Sequence, residues 1–251
     1  METCASVREC PPTGKSGDSP DLELAHIPYR AVIADPAVAV WLIPLVVSAP
    51  QLQQCARLLS PAEKARIARL QTERDRHQHT VARSLLRLLL GEYLAVPPAA
   101  IEFNLGQYGR PALADPPVST HFNLSHTTDL AICAISRTCV PGVDIEHLGR
   151  DVDHDGLARR FFSDGEYAEY QNIPAASRRR AFLTCWTRKE AIAKATGEGL
   201  HLPLREIEVT VAPDEPARLL RFAERPIIDW ALYAVDAGNA YAATVAIHRG
   251  S

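Results

Sequence analysis

The stretch Cys185-Trp186-Thr187-Arg188-Lys189-Glu190-Ala191-Ile192-Ala193-Lys194-Ala195-Thr196-Gly197 reads as a helix. At 3.6 residues per turn, Phe182, Trp186, Ala193 and Gly197 share one face, and Lys189, Glu190 and Lys194 fall on or beside it. Charges on a face meant for burial need a reason. One reading is a solvated Glu190 to Lys194 pair at i,i+4, worth a few tenths of a kcal/mol. The other is that the face opens onto a site.

Working outward, the strand that would meet this helix is Gly142-Val143-Asp144-Ile145-Glu146, where apolar and acidic residues alternate. As a strand it buries Val143 and Ile145 on one side and projects Asp144 and Glu146 from the other. An exposed acidic face is the commoner use of such alternation. Here the strand is flanked by apolar sequence, and a third carboxylate, Glu190, intrudes on an apolar helix face. If the three converge at roughly 5 Å, each ionised pair repels by about 3 kcal/mol at an effective dielectric near 20, so they need protons or a cation. An all-oxygen set with few protein donors suits Mg²⁺, which keeps waters and shares phosphate oxygens. The histidines and cysteines have no zinc spacing.

The chain has 251 residues, enough for one domain or two small ones, and its net charge of -3 argues against nucleic acid as a partner. Its six cysteines form no C-x-x-C pair and read as reduced thiols of a cytoplasmic protein. No apolar run has the length of a membrane span, so no membrane association is expected. Lys15, Lys64, Lys189 and Lys194 are its only lysines, and two of them lie in the stretch quoted first.

Residues 1 to about 25, rich in Pro, Gly, Ser and Asp, read as a flexible tail. Gly14-Lys15-Ser16 imitates a phosphate-binding loop but lacks its first glycine, which would fall on Glu9. A strand follows near 38–47, a helix opened by the capping box Ser60-Pro61-Ala62-Glu63, and a longer helix over 73–94. Strands are expected near 101–105 and 130–135, separated by a Gly/Pro-rich loop. The second series runs from the strand at 143–146 through helices at 155–162 and 163–171 to the quoted helix, then strands near 207–211, 219–222, 230–235 and 241–247. Both series read strand, helices, strands. An α+β protein of two subdomains, 26–138 and 139–251, is therefore expected. Adjacent Ser125 and His126 cannot form a hydrolase pair if extended, and they read instead as polar contacts to a ligand.

Tyr108-Gly109-Arg110-Pro111, Phe122-Asn123-Leu124-Ser125-His126, Gly142 to Glu146, Phe161-Phe162-Ser163 with Glu166, and Trp186 to Lys194 with Gly197 and Gly199-Leu200 occur in that order. Together they resemble the surfactin-type 4′-phosphopantetheinyl transferases over residues 38 to 212. The resemblance implies a monomer of two pseudo-twofold-related subdomains, each a small sheet packed with helices, with coenzyme A and Mg²⁺ between them. It implies transfer of phosphopantetheine to a serine of an acyl or peptidyl carrier protein, with release of 3′,5′-ADP. Asp144, Glu146 and Glu190 match the metal ligands, Glu190 also the general base, and Lys194 the contact to the transferred phosphate. Lys189, Ser125 and His126 would meet other parts of coenzyme A. Gly109, Arg110 and Pro111 match a loop near the adenine and 3′-phosphate, where many relatives carry lysine in place of Arg110. Lys64 and Arg83, with Arg66 or Arg69, match the region that holds the 3′-phosphate. Phe162 and Arg178-Arg179-Arg180 could serve the carrier protein. A Mg²⁺-dependent nuclease and a non-catalytic coenzyme-A-binding protein are the competing readings.

Overall fold

The computed structural model describes residues 30–31, 35–106 and 108–250, so the expected tail lies outside the described residues. A short strand β1 (Arg30–Ala31) and β2 (Ala39–Pro44) lead into two short helices, α1 (Ala49–Leu58) and α2 (Pro61–Ala68). Ser48 and Ser60 open them in the same way. Each hydroxyl accepts from the N–H three residues on, the Gln51 or Glu63 side chain reaches back to the cap N–H, and proline occupies the first turn. Helix α3 (Glu73–Leu94) is capped by Thr72, whose hydroxyl accepts from Asp75 N, and ends at Ala95 in the left-handed region.

Next come the small pair β3 (Phe103–Leu105) and β4 (Pro111–Leu113), then β5 (His121–Thr127), β6 (Leu130–Ser136) and β7 (Val140–His147). Strand β5 occupies part of the stretch expected to be a loop. Helices α4 (His154–Phe161), α5 (Asp164–Asn172) and α6 (Ala175–Thr196) follow, and α6 stops at Gly197 with φ +80°. Strands β8 (Ile207–Val209), β9 (Leu219–Phe222), β10 (Trp230–Ala234) and β11 (Tyr241–His248) complete the chain. The result is an α+β fold. One antiparallel sheet has the order β1-β2-β6-β5, a second has β10-β11-β7, and β3-β4 and β8-β9 form separate pairs.

Alternation on the strands divides the interior into three apolar clusters. Ala131, Cys133 and Ile135 of β6 pack with Val81, Leu85 and Leu89 of α3, while Ile132 and Ala134 point the other way. That second cluster joins the two sheets, since it also takes Val143 and Ile145 of β7 and Val245 and Ile247 of β11. The third lies beyond the second sheet, where Phe162, Tyr170, Phe182 and Ile192 pack against Val209 and Phe222. Rings of Phe162 and Phe182 stack at 5.6 Å.

With Val143 and Ile145 turned into the central cluster, Gly142, Asp144 and Glu146 face α6. Helix and strand meet there almost backbone to backbone. A Cβ on Gly142 would lie 2.0 Å from the Ala191 carbonyl oxygen and 2.5 Å from Ala195 N. β5 runs beside β7 without a ladder. The Asn123 side chain stands in for one, accepting from Val143 N at 2.9 Å.

Candidate active site

Asp144 is the centre of the site. It is 5 % exposed, and its Oδ1 accepts from Lys194 Nζ at 2.6 Å and from Ser125 Oγ at 2.9 Å. Lys194 Nζ also donates to Ser125 Oγ at 2.9 Å. Strands β5 and β7 and helix α6 thus each send one side chain to the same point. Asp144 Oδ2 is buried without a hydrogen-bond partner, a costly state for a carboxylate oxygen unless a ligand completes it.

Glu146 and Glu190 lie in the field of Asp144. Burial, then the Asp144 charge, pushes the Glu146 carboxyl up to about 7 although Arg150 is ion-paired to it. The same two causes raise the Glu190 carboxyl, with Lys194 opposing. Among the described residues, however, no three His, Cys, Asp or Glu side chains are grouped closely enough to hold a metal ion. The expected convergence of three carboxylates is therefore incomplete here. Asp144 has turned an oxygen to Lys194, and Glu146 has turned to Arg150. The donor set still fits a hard divalent cation, because it is all carboxylate, one oxygen is buried and unmatched, and the Asp144 charge raises both the Glu146 and the Glu190 carboxyl.

Lys189 does not join this group. One residue is 100° on a helix, so while Glu190 and Lys194 face β7, Lys189 faces α5 and β8. It is fully buried, ion-paired to Glu166, and donates to the Ile207 carbonyl. Glu166 accepts in addition from Ser163 N and Val209 N, both at 2.8 Å. The pair ties α5, α6 and β8 together, with no face left for coenzyme A. Neighbouring Arg188 is buried too, donating to Thr210 O at 2.7 Å and Glu215 O at 2.8 Å. The Arg178, Arg179 and Arg180 guanidiniums are likewise engaged by backbone carbonyls.

A cavity of about 760 Å³ lies in the N-terminal half, walled by α2, α3, β5 and the β3-β4 pair. Arg83 and Arg87 reach it from α3 and share Glu63, at 3.0 and 2.8 Å. Both guanidiniums also lie over the Phe103 ring, at 4.3 and 5.3 Å from its centroid. Arg66 lines the cavity, whereas Lys64 is exposed and absent from its wall. Because β5 is extended, Ser125 and His126 point to opposite sides, Ser125 to Asp144 and His126 into the cavity.

Gly109 adopts φ +78° in the β3-β4 turn, and Pro111 lines the cavity. Arg110 bridges the halves, donating to Ala195 O at 2.9 Å and Pro141 O at 3.2 Å. Beside it the Tyr108 and His201 rings are 5.0 Å apart. The sequence reading overlooked His79, which lines the cavity one turn before Arg83. Its signal was the i,i+4,i+8 series His79, Arg83, Arg87 on one helix.

Comparison with known proteins identifies the family. The 4′-phosphopantetheinyl transferase superfamily profile matches residues 141–246, and the N-terminal 4′-phosphopantetheinyl transferase profile matches residues 47–138. The 4′-phosphopantetheinyl transferase HetI of Nostoc is 39 % identical over 194 residues, 76 % of this chain and 81 % of its own. The chain belongs to the 4′-phosphopantetheinyl transferases. The transferase psf-1 of Bacillus pumilus is 31 % identical over 67 % of this chain and 71 % of its own. Sfp of Bacillus subtilis is 30 % identical over 62 % and 68 %. This transferase thus moves phosphopantetheine from coenzyme A to carrier proteins, and the nuclease reading falls away. No helix among the described residues is long and apolar enough to cross a membrane.

Proposed function

We propose that this transferase works as a cytoplasmic monomer whose halves, 26–138 and 139–251, hold coenzyme A and Mg²⁺ between them, and that 3′,5′-ADP leaves coenzyme A as the phosphopantetheine passes to a carrier serine. The observation that carries the reading is Asp144, a buried carboxylate with one oxygen on Lys194 and Ser125 and the other unmatched, set beside an arginine-walled cavity. Asp144, Glu146 and Glu190 would hold the metal, which when bound neutralises pyrophosphate charge and polarises the phosphorus under attack.

The protein's own groups do the rest. Lys194 leaves Asp144 for the phosphate being transferred and supplies a point charge to its oxygens. Ser125 holds Lys194 in line for that contact. Glu190 accepts the serine proton, directly or through one water. Its raised carboxyl moves it toward neutral pH, where a base takes and releases protons efficiently. Arg66, Arg83 and His126 bind the remaining phosphate, and Arg110 closes the β3-β4 turn onto α6 beside it.

The test is to incubate the protein with coenzyme A, Mg²⁺ and apo carrier proteins of fatty-acid, polyketide and peptide-synthetase type, and to weigh the carriers by mass spectrometry. A gain equal to phosphopantetheine is expected, with loss of the gain when Mg²⁺ is chelated. Full transfer after chelation would remove the metal from the reading.

A further inference from the structure

Two imidazoles face the cavity with no hydrogen bond among the described residues. His79 of α3 and His126 of β5 touch edge to face, with ring centroids 4.6 Å apart. The charged groups facing them come from every wall. Arg66 of α2, Arg83 and Arg87 of α3 and Lys194 of α6 are positive, while Asp75 of α3, Glu63 of α2 and Glu102 just before β3 are negative. Glu63 is already occupied, since Arg83, Arg87 and Ser60 N use its two oxygens. Burial first holds both imidazoles below their ordinary range; at His79 Asp75 opposes it while Arg66 and Arg83 add to it, and at His126, which lies at about 4, His79 and Lys194 add to it. The pair is thus neutral in the free protein and has protons still to accept.

We propose that His79 is a ligand of the phosphate monoester of coenzyme A together with His126, and that the bound dianion draws one proton from solvent onto the pair. The inference rests on the reading that coenzyme A occupies this cavity. A monoester has its second ionisation near pH ~6, so it arrives as a dianion at pH 7.5. The pyrophosphate has no group that titrates there. A dianion beside the rings favours their charged form against the burial that keeps them neutral, while their closeness opposes a second proton, so one is shared. The proton comes from the buffer, and no bond is made or broken in the ligand.

Calorimetry of the whole protein at pH 7.5, in buffers of different ionisation heat, reads the proton directly. Coenzyme A should take up about half to one proton on binding, and its affinity should fall as pH rises from about 6.5 to 8, because the complex holds more protons than its parts. 3′-Dephospho-coenzyme A should bind with almost no uptake. His79→Gln should cut the uptake by more than half and weaken coenzyme A about tenfold, while changing the dephospho form less than about twofold. Binding of coenzyme A with no proton uptake, or with equal uptake in wild type and His79→Gln, overturns the inference and leaves the cavity reading intact. Failure of coenzyme A to bind, or its undiminished binding when Arg83 is replaced by Ala, overturns both.

Discussion

Helices α3 and α6 have 22 residues each, and both bury basic side chains against a sheet, yet they settle those charges differently. On α6, Lys189 meets the Glu166 carboxylate and Arg188 meets carbonyls, so the charges are matched and enclosed. On α3, Arg83 and Arg87 divide one carboxylate, Glu63, on the wall of a 760 Å³ cavity, with Arg66 beyond it. A matched buried charge fixes packing. A surplus of charge facing open volume is disposed toward an anionic ligand.

The contrast is sharpest at Glu190, the α6 carboxylate that forms no ion pair among the described residues. Glu190→Gln should lower transfer by about 10²–10⁴-fold, as loss of a general base does, with unfolding unchanged by urea titration. Near-normal turnover would remove it from the mechanism. One residue earlier the effect should move from rate to stability. Lys189→Met strands Glu166 in the core and should cost about 3–5 kcal/mol. A stable variant with a raised KM for coenzyme A would instead make Lys189 a ligand and break the comparison.

In the N-terminal half, Arg83→Ala should raise the KM for coenzyme A by about 10–100-fold, the value of a charged hydrogen bond, with kcat little changed. Equal losses in kcat and kcat/KM would place Arg83 in the chemistry. The smallest effect expected is on the pH dependence of the free protein. Burial keeps the His126 folded-state value near 4, below its ordinary 6.5, so the unfolded chain binds the extra proton between those values. His126 therefore costs nothing above pH 6.5 and destabilises progressively as pH falls toward 4. The wild type should lose stability relative to His126→Gln over that window. A constant difference between the two would show that the imidazole is solvated.

Much of the chemistry could be read from local pattern. The capping boxes at Ser60 and Ser163, the alternation from Gly142 to Glu146 and the glycine closing α6 each act within a few residues. Ser48 with Gln51 carried the same signal for α1, which the sequence reading left unassigned. Strand β5 was hidden for a different reason. Both of its faces have partners, with Asn123 and Ser125 answering β7 and Phe122 and His126 answering the cavity, so polar residues interrupt the usual apolar pattern. Lys189 was misplaced because its partner Glu166 lies 23 residues away, a distance no local rule spans. His79 and His126 are farther apart still and meet only in the fold.

One missing carbon has consequences for the reaction itself. At Gly142 the backbones of β7 and α6 are separated by less than a methyl group would need, and Asp144 lies two residues along β7 from that contact while Glu190 and Lys194 each precede a residue that makes it. The spacing of the Asp144 and Glu190 backbones is consequently a property of main-chain packing, and only the carboxyl ends are left free to turn. A change in the loops around the site therefore leaves the spacing of these two backbones unaltered.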